Sequence, residues 1–305
     1  MDGIIPLYKP RGMTSFDCVA KVRRIVNQRR VGHSGTLDPD VDGVLPICVG
    51  QATKVVELLM NSGKTYQGEV TLGFATTTED LSGDTIATKP VESEVPAAQI
   101  DTVLQGMLGE NIQIPPMYSA VKVNGRRLYE YARAGETVER PQRKVVISRF
   151  ERDGAIDYSP EKQRERFKFQ VDCSKGTYVR TLAVDVGKQL GYPAVMSDLT
   201  RLKSGGFQLG QCVTLAQLAE HKEDGTLSEI MQPLDWALRA FPRVALTAEE
   251  WAQVRNGVFL ELNQTAPKVS LAYEGHIKAL YQLMDGKKNV YRPDKMFLQN
   301  EGVAD

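Results

Sequence analysis

Residues 166–173, RFKFQVDC, put Phe167, Phe169, Val171 and Cys173 on one side of an extended chain, and a helical stripe follows almost at once. Alternation with a period of two marks a half-buried strand. In SKGTYVRTLAVDVGKQLG, residues 174–191, Val179, Leu182, Ala183, Val186 and Leu190 recur at helical spacing, and Gly191 is a stop signal. Such a pair demands a sheet with a helix laid against it. Arg180 falls in the first turn of that helix, just beyond a strand end, where functional side chains often sit.

Residues 66–74, YQGEVTLGF, alternate in the same way and predict a second strand. Thr14, Ser15, Phe16 and Asp17 have capping-box form, and Val19, Val22, Ile25 and Val26 continue at helical spacing. A helix is therefore expected over about residues 15–27. Strands and helices do not alternate regularly, so the chain reads as α+β and not as a doubly wound sheet. It contains no internal repeat or low-complexity tract.

At 305 residues the chain exceeds the usual size of one domain. RAFPRVALTAEE, residues 239–250, joins an aromatic-proline break to a fresh helix start at Thr247. The division expected is 1–240 and 246–305. The second part holds one short helix and strand-like runs such as HIKALYQL and NVYRPDKMFL, and reads as a small, mostly β domain. With 42% hydrophobic and 25% charged residues the chain has the composition of a folded protein. No apolar run approaches the roughly 20 residues of a membrane helix, and MDGIIPLYKPRG lacks the charged and apolar regions of a signal peptide. A cytoplasmic protein with no membrane partner is expected. Cys18, Cys48, Cys173 and Cys212 lie far apart, without a C-x₂-C pair or a histidine at ligand spacing, and read as reduced thiols in or near the core.

The chemistry concentrates in GHSGTLDPDVDGVLP, residues 32–46. Asp38, Asp40, Asp42 and Gly43 fit the opening of an EF-hand calcium loop. The twelfth position, which should supply a bidentate glutamate, is Val49, and no helix can lead in past Gly32, Ser34, Gly35 and Pro39. The alternatives are a solvated turn of Asx residues and the setting of one working aspartate. Asp38 precedes Pro39 and is biased to extended geometry, while Gly32, Gly35 and Gly43 free the loop to turn sharply. Spacing alone does not choose among the three carboxylates.

The formal net charge is zero, yet residues 120–180 hold fifteen basic and nine acidic residues, a net +6. Lys21, Arg23, Arg24, Arg29 and Arg30 form a second basic run before the loop. Such clusters suit phosphate contacts, although for any single cluster a solvated face is the ordinary reading.

The loop resembles the active-site motif of the TruB family of pseudouridine synthases. KPRGMTSFD at 9–17, KTYQGEVTLG at 64–73, PPMYSAVKVNGRRLYEYARAG at 115–135, CSKGTYVRTLAVDVG at 173–187 and DLTRLKSGGF at 198–207 are similar to further blocks of that family, in its order. Together they cover most of the first 210 residues or so. The resemblance implies a catalytic domain with a mixed, mostly antiparallel central sheet flanked by helices and loops, and a small PUA-like RNA-binding domain after it. The segment after Leu246 resembles that tail only loosely.

The resemblance also implies an isomerase that converts the T-loop uridine of tRNA, conventionally position 55, into pseudouridine. The base is flipped out, detached from its ribose, turned and rejoined through carbon, with no cofactor and no metal. Asp38 would be the catalytic residue. Tyr66 would stack on the flipped base, although an isolated tyrosine on a strand is ordinarily core. Arg180 would pair with Asp38, hold it ionised and fix its orientation; an arginine in a first helical turn is ordinarily solvated. His33 would help displace the flipped nucleotide, and Leu199 would wall the base pocket; alone they read as a surface histidine and a core leucine. Lys9 and Pro10 belong to a block that supports the loop.

An ionised Asp38 has two routes: attack on sugar or base, or removal of a ribose proton so that the base leaves from a glycal-like species. The sequence leaves both open. The expected partner is the tRNA T-stem loop, the protein a monomer without an obligate protein partner. Two other classes compete: an RNA-folding protein that only docks the T loop, and a metal-dependent hydrolase using the three aspartates.

Overall fold

A computed structural model describes residues 1–300, which form two compact units. The first gathers Met1–Asn61 with the residues from Ser204 onward; the second is Ser62–Lys203. The last five residues of the expected 246–305 domain lie outside the described residues. No helix among the described residues is long and apolar enough to cross a membrane.

In the first unit the helix Ser15–Ile25 starts as its capping box requires: the Thr14 hydroxyl accepts the Asp17 N–H at 3.1 Å and the Asp17 carboxylate accepts the Thr14 N–H at 2.9 Å. It stops short of Asn27, whose φ of 49° is left-handed and cannot continue a helix. Cys18, Val19, Val22 and Val26 pack against Ile5, Leu7, Leu45, Ile47 and Val49. Those residues belong to the strands Gly3–Lys9 and Asp42–Val49, paired antiparallel from Gly3↔Val49 to Lys9↔Gly43. The short strand Val31–His33 pairs with the same strand, His33 opposite Ile47. Both ends of the aspartate loop, at His33 and Gly43, are thereby fixed by sheet pairing.

The C-terminal part of this unit is a five-stranded sheet in the order Arg243–Ala245, Lys268–Tyr273, His276–Leu283, Val290–Met296 and Leu260–Glu261. Its helix Ala248–Val254 is capped by Thr247 and Glu250. Val254, Val269, Leu271, Ala279, Tyr281 and Tyr291 form one core, whereas Ala272, Ile277, Leu280 and Phe297 join Ile4, Val44, Cys48 and Leu59 in another. The small sheet therefore shares a core with the N-terminal strands, and compactness runs through the break at 239–250. A domain of this size buries too little on its own face to stand apart.

The second unit carries the antiparallel strand order Ala194–Ser204, Lys64–Leu72, Arg164–Cys173, Arg143–Ser159 and Gly109–Gln113. Phe167, Phe169, Val171 and Cys173 are all buried, as their alternation predicts. The helix Val179–Leu190 buries its whole predicted stripe and ends at Gly191, φ 83°, a left-handed cap that glycine adopts without strain. The strand predicted over 66–74 begins at Lys64 and ends at Leu72, because Gly73 at φ 110° turns the chain.

Candidate active site

His33 and Asp38 lie on the loop of the first unit, and the backbone beside Asp38 is held on both sides. The buried Ser15 hydroxyl accepts the Leu37 N–H at 2.9 Å and donates to the Leu37 carbonyl at 3.3 Å. The Pro39 carbonyl accepts the Lys9 ammonium at 3.0 Å and the Gly12 N–H at 2.9 Å. Lys9 is fully buried and also donates to the Pro10 carbonyl at 2.8 Å; burial pushes its ammonium below the usual lysine range. The Asp38 carbonyl closes a turn by accepting the Val41 N–H at 3.1 Å. The sequence reading gave Lys9 a supporting part, and its contact shows how.

The three carboxylates now separate. Asp42 accepts the Tyr8 hydroxyl at 2.7 Å and Arg11 Nη2 at 3.4 Å, and this hydrogen bond, with burial, raises the Tyr8 phenol above its ordinary range. Asp40 is exposed on the turn, and Asp38 is half-buried between two clamped neighbours. Among the described residues no three His, Cys, Asp or Glu side chains are placed to hold a metal ion.

Tyr66 and Leu199 lie on adjacent strands of the second unit and are 7% and 6% exposed. A β-bulge brings them to one face. Met196 pairs with Val70 but Asp198 pairs with Glu69, so Ser197 is an extra residue. Without it Leu199 would stand opposite Gln67, on the other face; with it, Leu199 stands opposite Gly68 and Arg201 opposite Tyr66. The Ser197 hydroxyl donates to Glu69 Oε1 at 2.7 Å and accepts the Thr71 hydroxyl at 2.8 Å. Across the sheet Phe169 is also opposite Gly68.

That glycine is required. A Cβ there would lie 2.5 Å from Phe169 Cζ, 2.9 Å from Leu199 Cδ1 and 3.0 Å from the Asp198 carbonyl oxygen. Gly68→Ala is expected to destabilise the protein by about 1–3 kcal/mol, the usual cost of overpacking, and to push Leu199 from its place. Urea unfolding of the variant checks this; an unchanged midpoint would refute it. The same face carries two buried cations: Arg201, 1% exposed, and Lys64. Burial, reinforced by the Arg201 guanidinium, pushes the Lys64 ammonium down to about 8.

Arg180 is not solvated, as a first-turn arginine ordinarily is, but 5% exposed. Nη1 donates to the Thr78 carbonyl at 2.7 Å, Nη2 to the Tyr118 carbonyl at 2.9 Å, and Nε stands 3.9 Å from Asp80 Oδ2. Asp80 in turn accepts the Thr78 hydroxyl and the Ser82 hydroxyl, each at 2.6 Å. Glu79 between them has a φ of 66°, and its carboxylate accepts the Thr181 hydroxyl at 2.7 Å; burial pushes that carboxyl up. The guanidinium position is thus set by the fold of residues 78–82. Sequence reading missed Thr78, Asp80 and Tyr118. A polar run TTTEDLSGD reads as an ordinary turn, and only its aspartate followed two residues on by a serine hints at a closed loop.

The basic region is less open than its count implies. Arg126 pairs with Glu136 at 2.8 Å, Arg149 with Glu151 at 2.7 Å and Arg152 with Asp101 at 3.0 Å. The first two are exposed, and exposed pairs are worth only about 0–1 kcal/mol, so a phosphate can compete for them.

Comparison with known proteins gives the family. Residues 23–179 match the TruB family pseudouridylate synthase N-terminal domain, and residues 180–239 match the tRNA pseudouridylate synthase B C-terminal domain. The chain is 60% identical over 304 residues to tRNA pseudouridine synthase B of Latilactobacillus sakei, covering 99% of this chain and 100% of that one. It is 58% identical to the protein of the same name from Lactiplantibacillus plantarum, covering 98% and 100%. Among solved structures it is similar to a chain of an H/ACA RNP bound to a substrate RNA containing 2'-deoxyuridine, with a TM-score of 0.71, 26% identity and coverage of 98% and 86%. With family domains matched across 23–239 and relatives this similar over their full length, the chain belongs to the TruB family of pseudouridylate synthases.

Proposed function

We propose that the chain is a tRNA pseudouridine synthase that isomerises a T-loop uridine, with Asp38 as its catalytic carboxylate. The observation that supports Asp38 is the clamp around it: Ser15, Lys9 and Gly12 hold the backbone on either side, while Asp42 is engaged by Tyr8 and Arg11.

The reaction breaks the N1–C1′ bond of the uridine, turns the base and forms C5–C1′; C5 gives up its proton and N1 takes one, so that the product is an isomer of the substrate. A base in a folded loop must first be extruded, at a cost of a few kcal/mol of unstacking. In this reading Tyr66 stacks on the extruded base, Leu199 walls it, and His33 fills the space it leaves. Arg180 pairs with the Asp38 carboxylate, holding it ionised and fixing its orientation. Direct attack and ribose deprotonation both need that ionised, oriented carboxylate. No cofactor enters either route.

The domain reading becomes a division of labour: residues 1–240 catalyse and the small C-terminal sheet adds RNA contacts. The protein works in the cytoplasm as a monomer, without an obligate protein partner. The test is incubation with an unmodified tRNA transcript, followed by mapping of pseudouridine. Product at a single T-loop uridine is the expected result. Unmodified RNA, or product only outside the T loop, would refute it.

A further inference from the structure

Phe16 is 64% exposed, in the first turn of the helix Ser15–Ile25, between the serine that clamps Leu37 and the aspartate that caps the helix. A lone exposed phenylalanine needs no explanation. This one is not alone. Its ring meets the His33 imidazole edge-on, centroids 5.4 Å apart and planes at 88°. The imidazole is itself oriented, because Nδ1 accepts the Gly35 N–H at 3.3 Å. Along the same side of the helix Ala20, Arg23 and Arg24 are exposed at the spacing of successive turns, and Arg23 Nη2 is held in place by donating to the Val31 carbonyl at 3.0 Å. An oriented aromatic pair beside a basic ridge is the combination by which proteins hold unpaired nucleotides: rings take the bases and cations take the phosphates.

We propose that Phe16 is a substrate-contacting residue, and that a T-loop base next to the extruded uridine stacks on its exposed ring face. His33 braces the ring from its edge. The proposal rests on the reading of the T loop as substrate and extends it to a residue that reading does not use. Stacking of a base on an aromatic ring is worth enough that its loss should be plain in affinity.

The experiment uses the full chain and a T-stem-loop RNA carrying 2-aminopurine on the 3′ side of the target uridine. Phe16→Ala is expected to raise KM for that RNA roughly ten-fold, in line with the usual value of one stacked base, with kcat within about two-fold. Phe16→Trp should restore KM, whereas Phe16→Leu, apolar but without a π face, should not. The 2-aminopurine fluorescence should be quenched on binding to wild type and to Phe16→Trp, and unquenched with Phe16→Ala at saturating protein.

An unchanged KM in Phe16→Ala, a full rescue by Phe16→Leu, or quenching that persists in Phe16→Ala would each overturn the proposal. So would a loss of thermal stability in Phe16→Ala with the quench intact, which marks a purely structural side chain. Quenching is also read in Asp38→Asn, where binding is separated from turnover. A wild-type enzyme that leaves the uridine unmodified yet quenches the probe through Phe16 would count against the proposed function and not against this contact.

Discussion

Asp38→Asn is expected to lower pseudouridine formation by at least about 10⁴-fold, the scale seen when a group that carries the chemistry is removed, while RNA affinity stays within about three-fold. The size of the effect follows from the chemistry. An amide of the same shape can neither attack carbon as an anion nor take a ribose proton, and the other two aspartates cannot stand in for it. Asp42 is turned to Tyr8 and Arg11, and Asp40 is exposed on the turn. Folding should survive. The hydrogen bonds that shape the loop reach the backbone of Leu37 and Pro39 from Ser15, Lys9 and Gly12, and the substitution touches none of them. Single-turnover formation of product, with RNA binding measured on the same preparation, checks both halves. Binding with product lost distinguishes the enzyme from a protein that only docks and folds RNA. Retained turnover would remove Asp38 from the mechanism.

What was legible in the sequence is what local periodicity controls. The stripe from Val179 to Leu190, the alternation from Phe167 to Cys173 and the caps at Thr14 and Thr247 each report on a few neighbouring residues, and each formed. The site is different because its geometry comes from distant chain. Leu199 reaches the Tyr66 face only through an extra residue at Ser197, and AVMSDLTR, residues 194–201, carries no mark of a bulge. Arg180 is tied to carbonyls 102 and 62 residues away, so no window around it could show that it is buried. Charge counting has a related limit: it gives the net +6 of residues 120–180 but not which arginines stand paired with acids, as Arg126, Arg149 and Arg152 do. The proline break near residue 240 was real as a local event, since the helix after it starts at its predicted cap. It could not reveal that Ile277 and Leu280 would share a core with Ile4 and Cys48.

Arg180→Lys is expected to cut turnover by roughly 10³-fold although the charge is kept, a loss of the size found when one preorganised donor is removed from a reacting centre. A single ammonium cannot span the Thr78 and Tyr118 carbonyls and still present a flat, two-pronged edge to a carboxylate. Arg180→Ala adds a cost to the fold itself. It leaves two partly buried carbonyls without their donor, at up to about 1–3 kcal/mol for each unsatisfied group, so its urea midpoint should fall below that of the lysine variant. Two measurements therefore separate the roles: stability ranks wild type, Lys, Ala, while turnover drops almost fully at Lys. If Arg180 works by fixing Asp38, the losses cannot multiply. In Asp38→Asn there is no carboxylate left to orient, and adding Arg180→Lys should lower the residual rate by no more than about three-fold, the non-additivity of groups that act as one unit. Multiplied losses would mean that the guanidinium serves the reaction by another path, and an Arg180→Ala variant with full turnover would mean that it does not serve it at all.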